Sequence, residues 1–199
     1  MYEYSIGLTA EPFLYYETKI IARMIYEGEN PDDLRQRNIK ENLMQYKAVG
    51  SLSRVNSPVF RRLAVLDKNL LEEFVNSDID TSKFILLYAI MKTDRLVNEF
   101  ISEVYKDKLV LKKEYIEKHE FDTFYEEKML YSEKLKNASE SSRYKIRQVM
   151  FKILVDSGLL KKEKDKFKII KPLLKQKFID IVEANGDKEY ILALKGGGL

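Results

Sequence analysis

The stretch Ser139–Pro172, SESSRYKIRQVMFKILVDSGLLKKEKDKFKIIKP, decides the architecture of this chain. Hydroxyls at Ser139, Ser141 and Ser142 offer caps for a helix start. Ile146, Val149, Met150, Ile153 and Leu154 then recur at three- and four-residue steps, the spacing of one buried helix face. On the opposite side of the wheel lie Ser141, Lys145, Gln148 and Lys152, with Arg143 and Arg147 at the edge of the apolar stripe. Gly158 is placed to end the helix in the left-handed conformation. Two short apolar–basic runs follow, Leu159–Lys161 and Phe167–Ile170, around a charged turn at Lys164 and Asp165. The spacing predicts a β-hairpin directly after a basic amphipathic helix. That is the layout of a winged helix. Such a helix lies in the major groove, through Lys145, Gln148 and Lys152, while the wing reaches the backbone through Lys161, Lys162, Lys164 and Lys166. The competing reading is a solvated lysine face on a packing helix.

Upstream, the chain reads as mostly helical. A first helix is expected over about Pro12–Tyr26, with Leu14, Ile21 and Ile25 inward and Gly28 as stop. Asn30 as N-cap and Pro31 at the first position predict a second helix to about Glu41. After a break near Gly50, Ser57 and Pro58 suggest a third start. Val59, Leu63 and Leu66 would point inward, and Arg61 and Arg62 outward. Helix, short helix, turn and basic helix fit a helix-turn-helix variant, and equally any small three-helix bundle. Leu70–Val75 reads as a short helix. Thr81 to about Lys106 reads as one long central helix, capped by Ser82 or Asp80. Further helices are expected over Asp122–Leu130 and from Pro172 to about Ala184. KEYILAL, residues 188–194, is a candidate terminal strand, and KGGGL at the end is expected to be unstructured. The fold class is therefore mainly α. An N-terminal helix-turn-helix-like unit (1–78) precedes the central helix and a C-terminal winged-helix-like unit with a small hairpin (79–199).

Composition narrows the chemistry. The chain has 199 residues, 45% hydrophobic and 34% charged, with no Cys. Disulfides, thiolate metal sites and cysteine nucleophiles are excluded. The longest apolar run, Phe84–Met91, falls far short of the roughly 20 residues that span a bilayer, and no signal peptide is visible, so the chain reads as soluble and cytoplasmic. The lone His119 reads as a surface residue. No phosphate loop, dinucleotide fingerprint or metalloprotease motif is present, so no catalytic residue, metal or cofactor is assigned and a binding protein is expected. Net charge is only +3, but it is uneven. Leu43–Leu66 carries four basic residues and no acidic ones. Lys134–Lys171 carries twelve basic and four acidic, leaving −9 on the remainder. Two basic islands in an acidic chain point to a polyanion as partner. The candidate contacts are Arg54, Arg61 and Arg62 in the first island. In the second they are Arg143, Lys145, Arg147, Gln148, Lys152, Lys161, Lys162, Lys164 and Lys166.

Three segments taken together resemble the BrxA family of small proteins encoded in BREX phage-defence operons. They are YSIGLTAEPFLYYE (Tyr4–Glu17), KTDRLVNEFISEV (Lys92–Val104) and SESSRYKIRQVMFKILVDSGLL (Ser139–Leu160). The resemblance covers Tyr4 to about Pro172. It implies a mostly helical, non-catalytic accessory protein that binds double-stranded DNA. The enzymes of the system, a methyltransferase, an ATPase and a phosphatase-like component, would be separate proteins and possible partners. Gly7, Thr9, Lys92 and Arg95 fall in the recurring motifs, where Gly7 suggests a turn and Lys92 and Arg95 suggest salt bridges between helices. The family has also been likened to the NusB antitermination fold, so RNA binding stays open. A protein–protein scaffold stays open too, with the aromatic-rich Phe121–Tyr131 segment as its candidate surface.

Overall fold

The run Phe84–Met91 has no polar face, so any helix it forms must be covered on all sides. In the computed structural model, which describes residues 3–197, that helix lies at the centre. The N-terminal elements that precede it are α1 (Tyr15–Tyr26), α2 (Pro31–Glu41), α3 (Leu52–Leu63) and α4 (Lys68–Asn76), of which α3 and α4 pack on it. The central helix itself is α5 (Ile79–Thr93). Every residue from Ile85 to Ile90 is at most 1% exposed. Its cap is Asp78, one residue before the helix, whose carboxylate accepts from Thr81 N at 2.9 Å.

The single long helix expected here is interrupted at Asp94. Its backbone is extended (φ −133°, ψ 110°), and its side chain accepts from Val97 N at 3.0 Å, so it starts a new helix. Thr93 supports the break by donating its hydroxyl back to Ala89 O at 2.8 Å. The chain continues as α6 (Arg95–Glu99), a π-helical segment (Phe100–Tyr105) and α7 (Lys106–Val110).

The Asn30 cap and Pro31 start are as expected, with Asn30 Oδ1 accepting from Asp32 N and Asp33 N at 2.9 and 3.2 Å. Two other starts differ. Leu14 adopts φ 54°, ψ 43°, which delays α1 to Tyr15 rather than Pro12. Pro58 lies inside α3 rather than opening it, because Leu52 and Val55 belong to the same buried stripe as Val59 and Leu63. Burial of that stripe outweighs the Ser-Pro signal. The connection between α2 and α3 spans residues 42–51, far longer than the three- or four-residue turn of a helix-turn-helix.

The C-terminal part runs β1 (Tyr115–Glu117), α8 (Lys118–Met129), α9 (Glu133–Lys136), α10 (Glu140–Asp156), β2 (Leu160–Glu163) and β3 (Lys166–Ile169). The helix and hairpin expected over 139–170 are both present. Ser139 caps α10, and Gly158 takes φ +91°. The sheet is antiparallel in the order β1-β3-β2. Strand β1 has no counterpart in the sequence reading, because three residues are too few to show a period. Phe167 of β3 stacks on Phe151 of α10 with centroids 4.2 Å apart, fixing the sheet to the helix.

Two helices close the chain, α11 (Gln176–Ala184) and α12 (Lys188–Lys195). The first begins at Gln176, not Pro172. The expected strand KEYILAL is α12. Short apolar runs fit either period, and here α12 packs against the π-helical segment with Ile191, Ala193 and Leu194 buried. Gly196 is the left-handed cap of α12 (φ 83°), and a Cβ on it would meet Leu109 Cβ at 2.8 Å, so the first two residues of KGGGL, Lys195 and Gly196, belong to the helix and its cap. Gly198 and Leu199 lie outside the described residues.

The buried apolar side chains form one connected cluster from Tyr4 to Leu194. Polar ties cross it. Lys92 Nζ reaches Asp187 Oδ2 at 2.6 Å, and the same carboxylate accepts from the Tyr88 hydroxyl, joining α5 to the start of α12. Lys92 therefore makes the interhelical bridge expected of it. Arg95 pairs instead within its own helix, with Glu99 at 2.7 Å, and lies over the Tyr4 ring. Glu99 also accepts from Tyr4 Oη at 2.6 Å and lies 3.3 Å from Lys128 Nζ of α8.

Burial pushes the Glu99 carboxyl up, but Tyr4, Arg95 and Lys128 together outweigh it and hold it below its ordinary 4.5. A carboxyl depressed on folding stabilises the fold fully above its unfolded value and loses that contribution as pH falls through the folded one. Thermal melts should therefore show stability declining below about pH 4.5. Glu99→Gln should lower stability at neutral pH and flatten this acid limb. An unchanged acid limb in that variant would assign the decline to other groups.

Candidate nucleic-acid interface

The outward face of α10 follows from its inward one. Ile146, Val149, Met150, Ile153 and Leu154 are all buried, which leaves Ser141, Lys145, Gln148 and Lys152 exposed on the far side, as the wheel predicts. Beside that face an open groove of about 580 Å³ runs between α10 and the sheet. Lys145, Arg147, Gln148 and Lys152 line it from the helix, Lys162 from β2 and Lys118 from the start of α8. Five of the residues expected at the interface are thus brought together. Lys118 was not among them. It reaches the groove because β1 pairs with β3 and sets α8 beside the hairpin, and nothing local in the sequence signals that pairing.

Not all the groove cations are equally available. Arg147 is bound to Asp122 at 2.6 and 2.8 Å by one nitrogen, and its ring neighbour is Tyr144 at 5.4 Å. Its charge is already offset. Lys152 pairs with Asp156 at 3.0 Å, but its side chain is 61% exposed, so this i,i+4 pair contributes little and is readily exchanged.

Strand register divides the wing lysines. Lys162 is opposite Phe167, and residues directly opposite in an antiparallel pair share a face. Phe167 packs on α10, so Lys162 faces the groove. Lys161 is opposite Lys168, and Lys166 is opposite both Glu163 and Glu117, which puts Lys161 and Lys166 on the outer face of the sheet. The Lys166 ammonium sits 3.5 Å from the centroid of the Tyr115 ring. Lys164 is at the turn with φ 50° and is exposed. The four wing lysines therefore take three placements, Lys162 toward the groove, Lys161 and Lys166 on the outer face and Lys164 at the turn, rather than one row.

The N-terminal island is mostly structural. Arg62 was expected to face outward. It is 1% exposed, and it donates to the carbonyls of Pro12 at 2.8 Å, Phe13 at 3.1 Å and Glu11 at 3.1 Å. Burial lowers it to about 10, with Glu11 pulling it back up, so it stays charged at neutral pH. Arg61 is half-buried in an ion pair with Glu11. Both arginines brace the segment that leads into α1, and neither is free for a phosphate. Arg54 is exposed, with its guanidinium on Ser51 Oγ at 2.9 Å. Arg143 is likewise a brace. It donates to Lys136 O at 2.9 Å and Ala138 O at 3.2 Å, closing the turn from α9 into α10.

The segment Phe121–Tyr131 is not a continuous aromatic surface either. Phe121, Phe124 and Tyr125 are buried, and of its large apolar side chains only Leu130 and Tyr131 at its end stand in solvent. His119 is exposed next to Glu117 at 3.5 Å. Among the described residues no three His, Cys, Asp or Glu side chains are grouped to hold a metal ion. No helix among them is long and apolar enough to cross a membrane.

The family model for BrxA matches residues 2–186. The chain belongs to the BrxA family. A curated relative from Bacillus cereus (strain H3081.97), described as "BREX protein BrxA", is 34% identical over 193 residues, covering 97% of this chain and 96% of the relative. A solved structure described as that of an uncharacterized protein from Magnetospirillum magneticum superposes with a TM-score of 0.83 at 17% identity. It covers 98% of this BrxA-family chain and 99% of its own. At that identity the likeness speaks for the fold alone. The family model and the curated relative extend over nearly the whole chain, so the N-terminal helices, α10 and the hairpin all fall within the matched region.

Proposed function

We propose that this BrxA-family protein is a non-catalytic, cytoplasmic accessory component of a BREX phage-defence system that binds double-stranded DNA. The observation that carries the reading is the groove between α10 and the hairpin, where Lys118, Lys145, Lys152 and Lys162 converge around Gln148. Lysines at that density supply phosphate contacts, and one amide on the helix supplies a base-edge contact, so affinity should exceed sequence preference.

Topology supports the same reading. Helix, strand, three helices (the middle one, α9, a single turn) and a hairpin, with the first strand paired to the last, follows a winged-helix order in which α10 is the helix presented to the groove of the duplex. In the division into 1–78 and 79–199, the second unit would carry the duplex contact. The first would contribute Arg54 at most. Methyltransferase, ATPase and phosphatase-like proteins of the system would be its protein partners.

The test is fluorescence anisotropy with a labelled duplex, competed by the matching single strand and by an RNA hairpin. The duplex should be held against both competitors. Displacement by the RNA hairpin at lower concentration than by unlabelled duplex would favour an RNA-binding protein of the NusB kind.

A further inference from the structure

A second hollow, of about 540 Å³, shares a wall with the basic groove. Lys152, Val155 and Asp156 on the last turns of α10 line both. The remaining walls are Pro12–Glu17, Tyr46 and Lys83. The two spaces differ in chemistry. Five cations and Asp156 line the groove, whereas in the hollow Lys83 and Lys152 are matched by Glu17 and Asp156. A phosphate gains little in a neutral hollow. What the hollow offers is aromatic surface.

Tyr16 is 77% exposed, a large ring left in water at the mouth of this space. It stands edge-on to Tyr15 at 5.3 Å. Tyr15 is held in turn, by its hydroxyl to Ser82 Oγ at 2.7 Å and by its ring against Phe74 at 6.3 Å. The backbone beneath is held by Arg62 on the carbonyls of residues 11–13 and by the left-handed turn at Leu14. The backbone that carries Tyr16, and the Tyr15 ring beside it, are therefore held before anything binds. A planar, uncharged group that can stack, attached to a chain of phosphates lying next door, fits these walls. An unpaired nucleobase is that group, and stacking on an aromatic ring is sequence-tolerant.

We propose that this hollow accepts an unpaired nucleobase at the end of a duplex held in the basic groove, stacked on Tyr16, with the connecting phosphate left at Lys152. The proposal rests on the duplex reading above. The test compares a blunt duplex with the same duplex carrying a short single-stranded tail whose first unpaired base is 2-aminopurine. The tailed probe should bind about tenfold tighter, the lower end of what one stacked base supplies, and its 2-aminopurine fluorescence should fall on binding. Tyr16→Ala should abolish both the gain and the quench while leaving blunt-duplex affinity unchanged, and Tyr16→Phe should keep both. Tyr16 is exposed, so the fold should survive, as a melt would verify. Blunt binding with no gain from the tail, or a gain that persists in Tyr16→Ala, overturns the assignment of the hollow and leaves the duplex reading standing. Failure of both probes to bind overturns the two together.

Discussion

Replacing Arg62 by Ala should destabilise the fold by about 3–5 kcal/mol, since each buried carbonyl left without a donor costs about 1–3 kcal/mol and the emptied site adds a cavity cost. The guanidinium is fully enclosed, and it satisfies three main-chain carbonyls from residues 11–13. Its removal leaves those carbonyls without a donor in a site that also loses its filling atoms. Arg62→Lys should recover little, because a single ammonium cannot span three acceptors arranged for a planar fork. Denaturant unfolding measures the difference. A loss below about 1 kcal/mol, the usual scale of a surface substitution, would mean that the segment before α1 holds itself without Arg62. The residue also marks a limit of charge counting. In sequence it is one of two adjacent arginines in a basic island, and in the fold it is a structural post.

Reversing two groove charges together, Lys145→Glu with Lys152→Glu, should have the opposite profile. Both side chains are exposed, and the Lys152–Asp156 pair is an exposed one, so melting should shift little. Duplex affinity should fall about a hundredfold at low salt, since two charge-assisted contacts of about 1.5 kcal/mol or more are lost. The salt slope should fall by about two phosphate equivalents. Anisotropy titrations on wild type and variant, with circular dichroism as the folding control, separate the two effects. Unchanged affinity would remove α10 from the interface and leave its lysines as a solvated face.

What the sequence made legible was whatever depended on local chemistry. Asn30-Pro31 and Ser139 mark helix starts through hydrogen bonds made within three residues, and Gly158 marks an end through its own backbone freedom. The exposed face of α10 followed from its buried one. Where a distant partner decides, the same signals misled. Ser57-Pro58 looked like a start until the stripe through Leu52 and Val55 buried a helix across it. Asp94 breaks the central helix in a setting that only the packed fold supplies. KEYILAL ends in a short continuous apolar run that fits a strand or a helix, and packing against the π-helical segment made it a helix.

The site shows the same division. Lys145, Gln148 and Lys152 could be read from one helix. The split of the wing lysines could not, because it depends on the register of β2 against β3. Lys118 enters the groove only through the short strand β1, whose pairing is non-local. Arg62 was misplaced for the same reason, since its acceptors lie 49 to 51 residues away.

The most direct test of the groove as a duplex-binding surface is the salt dependence of binding by the intact protein. Four lysines, at positions 118, 145, 152 and 162, converge there. If each neutralises one phosphate, the slope of log affinity against log salt should be roughly −3.6, at about −0.9 per contact. A slope near that value supports a phosphate-tracking groove of this extent. A slope near zero, or no duplex binding at low salt, would contradict the account.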